Sequence, residues 1–180
     1  CRELIERQQQ LVLSTDSFWG PVRPLNEMID KLHNCSADVI GLTDNLMYEP
    51  HLQSPFLMFN RGAISCPKFW NFWDKIQCWE NKRSIVKNYE VGLPVLLKKE
   101  GLQLKSLYST NANGNILHTE WKSLIENYNF PFIKISLVKN NPHQIDISDW
   151  KSVVRRGNRK LALEIENQLK RHSIQGLQRE

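Results

Sequence analysis

Four short polar clusters carry the side chains that could do chemistry: Thr15-Asp16-Ser17, Gly41-Leu42-Thr43-Asp44-Asn45, His51-Leu52-Gln53-Ser54 and Tyr89-Glu90-Val91-Gly92-Leu93. Carboxylates of this kind can take a proton or hold a hard cation. Hydroxyl, amide and imidazole groups supply the directional donors and acceptors that a polyhydroxy substrate requires. Taken singly, each cluster has a plainer reading: an Asp in a turn is usually a turn-former, a His beside a strand is a satisfied surface or core group, and a Glu on a helix is solvated.

The elements that must position these clusters can be read from apolar spacing. Leu11 to Ser14 has buried-strand character and runs into Asp16 before the chain turns through Gly20-Pro21. In an α/β protein the carboxyl end of a strand is where ligand crevices open. Leu25, Met28, Ile29 and Leu32 fit a helix face, VIGLT a short buried strand and PFLMFN a second strand. Ser65-Cys66-Pro67 has the order of a helix start, with Phe69, Trp70, Phe72, Trp73 and Ile76 as a broad aromatic face whose spacing suits packing better than sugar stacking. Lys82 to Lys99 predicts a second helix with Ile85, Val86, Tyr89, Leu93, Leu96 and Leu97 inward, kinked or divided at Pro94 and stopped by Gly101. LQLKSLYS predicts a strand, NANGN a loop, LHTEWKSLIENY a helix with Trp121, Leu124 and Ile125 inward, and PFIKISLV a strand. Two basic helices divided near Gly157 close the chain. Helices alternating with short strands give an α/β class with a mixed sheet and flanking helices.

Composition narrows the function. At 180 residues and 41% hydrophobic content the chain suits one well-cored domain, and no apolar run approaches the roughly 18 residues of a membrane span. Cys1, Cys35, Cys66 and Cys78 show no paired or metal-finger spacing, so reduced structural thiols in a cytoplasmic setting are expected. Residues 151–180 hold eight bases against three acids, which accounts for the whole net charge of +5. This basic helical tail reads as a solvated face, with peripheral contact to an anionic membrane at its inner leaflet as the functional counterpart. No aromatic residue interleaves the tail bases, which argues against nucleic acid as a partner.

The order TDSFWGPVRPL, DVIGLTDN, HLQSPFLMF, KFWNFWDKI, KNYEVGLPVLLKKEGL, NILHTEWKSLI and FPFIK resembles the rhamnan synthesis protein F family of bacterial polysaccharide glycosyltransferases. The likeness runs from about Leu11 to Trp150 and is most specific in the G-L-T-D-N and H-L-Q-S blocks, leaving the tail outside it. It implies a partial GT-A-like glycosyltransferase fold, with residues 1–150 as the catalytic and acceptor half and 151–180 as the tail. It further implies a nucleotide-sugar donor, with rhamnose the expected sugar, and a cell-surface polysaccharide or lipid-linked glycan as acceptor.

The resemblance also assigns roles. Asp16 takes the place of an acidic motif that holds a divalent metal, Mg²⁺ or Mn²⁺, against the donor diphosphate. One carboxylate flanked by hydroxyls makes a poorer site than two. His118 is the second metal candidate. Glu90 corresponds to the base that takes the proton from the acceptor hydroxyl, against its plainer reading as a capping residue, and Asp44 is the alternative base. Ser17, Thr43, Asn45, His51, Gln53, Ser54 and Tyr89 fall to substrate binding. Only ten residues precede Leu11, so most of the nucleotide pocket is expected to be missing and an amino-terminal part to precede this fragment. The competing function is a carbohydrate-binding or scaffolding module that uses the same polar clusters without catalysis.

Overall fold

The run Val39–Asn45 carries apolar side chains on both faces around a glycine, a composition that suits a strand covered on both sides, and all its residues but Asp44 are buried. The structure is a computed structural model that describes residues 2–46, 49–109 and 114–177. Cys1, the larger part of the NANGN loop, Arg179 and Glu180 lie outside the described residues. Two compact units share the chain: Cys1–Thr15 with Asp30–Ile116, and Asp16–Ile29 with Leu117–Glu180. The architecture is mixed α/β, with a mixed sheet flanked by helices.

The first unit holds the main sheet: β1 (Gln10–Ser14), β3 (Val39–Asn45), β4 (His51–Leu52), β5 (Phe56–Asn60) and β6 (Leu104–Tyr108). β3 pairs antiparallel with β4 and β5 and parallel with β6, while β1 pairs antiparallel with β5. β1, β3 and β6 therefore run the same way, and their carboxyl ends meet the amino end of β4 along one margin of the sheet. β1 is an edge strand whose residues alternate between half-buried and exposed, so the LVLS run is half-covered and not the fully buried strand its composition predicts.

β4 and β5 act as one interrupted partner for β3. Gly41 stands opposite Leu57 and Asp44 opposite Leu52, three steps along β3 against five along the partner. The two extra residues bulge out around Gln53–Pro55, re-aiming Gln53 while its backbone N–H still reaches the Thr43 carbonyl at 2.9 Å.

Helices of this unit pack on the sheet through Phe69, Trp70, Leu93 and Leu97, which join Val39, Phe59 and Ile64 in one core. Helix Pro67–Trp73 opens with Pro67 in its first turn, Phe69 lies against the Phe59 ring at 5.0 Å, and the Trp70 indole donates to the Ile64 carbonyl at 2.8 Å. Phe72 and Trp73 are half-buried, so the aromatic face is packing. Ile76 falls beyond the end of this helix and is exposed, because the helix closes three residues before it.

The helical run from Lys82 to Lys99 is continuous but changes pitch. An α-turn at Lys82–Ile85 leads into a π-helical segment at Val86–Val91, and α-geometry resumes at Gly92–Lys99. Pro94 lacks the N–H that would reach the carbonyl of Glu90, and its ring crowds that carbonyl, so the wider π turn relieves the conflict where a kink or a division into two helices was expected. Ile85 is exposed, while Val91, Leu93 and Leu97 are buried. Gly101, at φ 86, ends the run in a left-handed conformation.

In the second unit, β2 (Phe18–Trp19) pairs antiparallel with β7 (Ile133–Lys134). The strand expected over PFIKISLV is limited to β7 and gives way to a helix at Ile135–Lys139. Its partner β2 offers only two residues of ladder. Leu137 and Val138 are neighbours and both buried, which an alternating strand face does not provide. The helix expected over LHTEWKSLIENY is divided into Ile116–Thr119 and Trp121–Asn127. Trp121 and Ile125 join Val22, Leu137, Val153, Val154 and Ile165 in a core to which helices Trp150–Gly157 and Arg159–Leu177 both contribute. Asn158 separates them, its side chain capping the second helix by accepting from the Leu161 N–H at 3.0 Å. Among the described residues no helix is long and apolar enough to cross a membrane.

Candidate active site

Thr43, Asp44 and Asn45 end β3, His51 begins β4, Gln53 sits in the bulge and Tyr108 ends β6, so the parallel direction of β3 and β6 brings them to one margin of the sheet. Side chains on this margin form three connected polar sets.

The first is a buried amide relay. The Thr43 hydroxyl donates to Gln53 Oε1 at 2.8 Å, and Gln53 Nε2 donates to Asn115 Oδ1 at 3.2 Å. Thr43 and Gln53 are both nearly fully buried, so these bonds satisfy groups that water does not reach. The second set surrounds Asp44. The Ser106 hydroxyl donates to Asp44 Oδ2 at 3.0 Å, and the Ser109 hydroxyl to the same oxygen at 3.1 Å. Two hydroxyl donors fix the plane of this half-buried carboxylate.

The third set pairs His51 with Glu90. His51 Nδ1 is 2.7 Å from the Glu49 carbonyl oxygen. A carbonyl can only accept, so Nδ1 carries the proton and Nε2 is the nitrogen turned toward Glu90 Oε1, 4.0 Å away. The imidazole is buried, whereas the Glu90 carboxylate keeps 23% exposure. Glu90 thus reaches solvent while one flank rests on a fixed histidine. Its backbone belongs to the π segment, an irregularity that helices often place at functional positions.

Ser54 is half-buried in the turn after Gln53, and Asn45 is buried beside His51 in the β3–β4 pairing. Tyr89 lies elsewhere in its interactions. Its hydroxyl accepts from the Gln77 N–H at 2.6 Å and from the Trp79 indole at 2.9 Å and donates to the Gln77 carbonyl at 2.7 Å. That set occupies the phenol oxygen with the loop after helix Pro67–Trp73. Ser106, Ser109 and Asn115 were not singled out from the sequence. The signal that finds them is the parallel pairing of LKSLY with VIGLT, which sets the end of one strand beside the end of the other.

Asp16, Ser17 and His118 belong to the second unit. Asp16 is exposed, and Ser17 is half-buried with its carbonyl accepting from the Ile135 N–H at 3.0 Å. His118 is buried, with Nε2 3.0 Å from the Ser136 hydroxyl and Nδ1 without a hydrogen-bond partner among the described residues. Burial, Lys134 and the neighbouring His143 lower its pKa to about 4, so the imidazole is neutral. A neutral imidazole can ligate a metal, but the lysine that helps keep it neutral also opposes a cation. Among the described residues no group of three or more His, Cys, Asp or Glu side chains is placed to hold a metal ion. The described residues do not by themselves make a metal site.

Comparison with known proteins adds the family. The chain is 30% identical over 105 residues to "Uncharacterized protein y4gN" of Sinorhizobium fredii (strain NBRC 101917 / NGR234), an alignment covering 56% of this chain and 27% of that protein. The chain therefore spans about a quarter of the length of the curated relative it matches. No solved structure matches the chain. The family model for Rhamnan synthesis protein F matches residues 2–174. The match extends on both sides of the Leu11–Trp150 stretch in which the likeness was expected and takes in most of the basic tail. On that match over nearly its whole length, the chain belongs to the Rhamnan synthesis protein F family.

Proposed function

We propose that the chain forms part of a glycosyltransferase that moves a sugar, rhamnose in the first instance, from a nucleotide-sugar donor to a cell-surface polysaccharide or lipid-linked glycan. Membership of a rhamnan synthesis family supplies the process. The observation that carries the assignment is the pairing of solvent-reaching Glu90 with buried His51 at the sheet margin that also holds Asp44, Thr43 and Gln53.

In this reading the Glu90 carboxylate takes the proton of the acceptor hydroxyl as that oxygen bonds to the anomeric carbon, and the bond from that carbon to the nucleotide diphosphate breaks. The new Glu90 O–H then faces the lone pair of His51 Nε2, to which it donates after a small closure from 4.0 Å. Asp44, held by Ser106 and Ser109, and half-buried Ser54 orient sugar hydroxyls, with buried Asn45 beside them. The Thr43–Gln53–Asn115 relay keeps the margin rigid. A divalent metal, where one takes part, would neutralise the donor diphosphate. Asp16 is the residue proposed to contribute a carboxylate to it, and no step above depends on it.

The test is turnover of a nucleotide-sugar panel by the complete protein carrying Glu90→Gln or His51→Gln. Both variants are expected to lose transfer by roughly 10²-fold while donor affinity changes little. Parental turnover in Glu90→Gln would overturn the assignment. Glycan binding without donor consumption by the parent would replace transfer with a binding-module role.

A further inference from the structure

Three large apolar side chains are exposed within ten residues of the first unit: Ile76 and Trp79 at 44% and Ile85 at 42%. The Tyr89 hydroxyl gathers them. It bonds to the backbone of Gln77, next to Ile76, and to the Trp79 indole, and Tyr89 follows Ile85 by one helical turn. The Tyr89 ring is itself seated edge-on against Phe72 at 5.9 Å, so the loop 74–81 is tied to the core at its middle. Around these apolar groups stand four exposed bases, Lys75, Lys82, Arg83 and Lys87, and two acids, Asp74 and Glu80. Asp74 already faces Arg2 at 3.5 Å.

We propose that this segment, residues 75–87, docks the protein on an anionic lipid bilayer, with Trp79, Ile76 and Ile85 entering the headgroup boundary and the four bases meeting lipid phosphates. An exposed Trp and two Ile ringed by Lys and Arg have the composition of an interfacial anchor, in which apolar burial and charge attraction act together. Charge complementarity selects the occupant, because an acidic bilayer satisfies a net positive rim around an apolar centre at every approach angle. The basic tail is the weaker candidate for the same partner. Lys151 pairs with Glu166, Arg156 with Glu126, and Lys160 with Glu164, so three of its eight bases are engaged within their own unit, and the tail has no exposed aromatic residue beside its bases.

The proposal is independent of transfer and is tested without it. The chain is floated with phosphatidylcholine vesicles, with and without a third of phosphatidylglycerol. Binding is expected only with the anionic lipid. Lys82→Glu with Arg83→Glu should reduce the bound fraction at least roughly tenfold, and an acidic first helical turn keeps these changes compatible with folding. Ile85→Ser with Ile76→Ser should do the same through the apolar part, leaving the Trp79–Tyr89 bond in place. Arg155→Glu with Arg159→Glu, on the other unit, should leave binding within about twofold. Thermal melts establish that each variant is folded. Absence of parental binding to anionic vesicles overturns the proposal. So does equal binding to neutral ones, or loss of binding in the Arg155/Arg159 variant with retention in the other two.

Discussion

The carboxylate of Asp44 is met by hydroxyls from Ser106 and Ser109, more than sixty positions along the chain, and such pairings cannot be seen in the T-D-N triplet itself. Gln53 is the residue whose local context is most demanding. It is buried in a bulge, with its oxygen committed to Thr43 and its amide to Asn115. Gln53→Leu should therefore strand a buried hydroxyl and cost about 1–3 kcal/mol, read from the urea midpoint at constant slope. His118 makes a pH-dependent prediction. Its folded pKa of about 4 lies below the ordinary 6.5, so its neutral form is the one the fold accommodates. The stability this contributes is complete above pH 6.5 and is lost as pH falls from there toward 4, by about 3 kcal/mol in all. His118→Gln should flatten that part of the stability profile. Parallel profiles for parent and variant would show that His118 is not held neutral by the fold.

At the scale of elements, the sequence was informative where one physical signal dominated. VIGLT and PFLMF are short apolar runs bounded by polar clusters, and each forms a strand. Phe69 and Trp70, repeated at helical spacing by Phe72 and Trp73, are core. The residues that were misplaced answered to partners distant in sequence. PFIKISLV has strand composition, but a two-residue partner allows it only Ile133–Lys134. Pro94 advertises an interruption without saying which kind. The answer, a π turn ending at Val91, carries Glu90 with it. Pro94→Ala supplies the missing N–H to the Glu90 carbonyl and lets the segment close to regular α-geometry, turning Glu90 by up to about 100° relative to His51. Thermal stability should hold or rise while transfer falls at least roughly tenfold. Unchanged transfer in a variant with raised stability would show that the π turn does not set the position of Glu90.

At the scale of the molecule, each unit has its own core, one built on Val39, Phe59 and Leu97 and the other on Val22, Ile125 and Val153. Gly157 is a sensitive point of the second, because a Cβ there would collide with the Val22 carbonyl oxygen. Gly157→Ala should lower protection from hydrogen exchange in helices Trp121–Asn127 and Trp150–Gly157 while leaving β3 and β5 near their parental protection. The family match spans residues 2–174 and thus both units, while Glu90, His51 and Asp44 all lie in the first unit. Single-turnover transfer from a nucleotide-sugar donor, compared between the complete parent protein and its Glu90→Gln variant at matched donor occupancy, bears most directly on the proposed transfer chemistry. The account predicts a fall of roughly 10²-fold or more in the rate at unchanged occupancy. A variant that transfers sugar at the parental rate would contradict it.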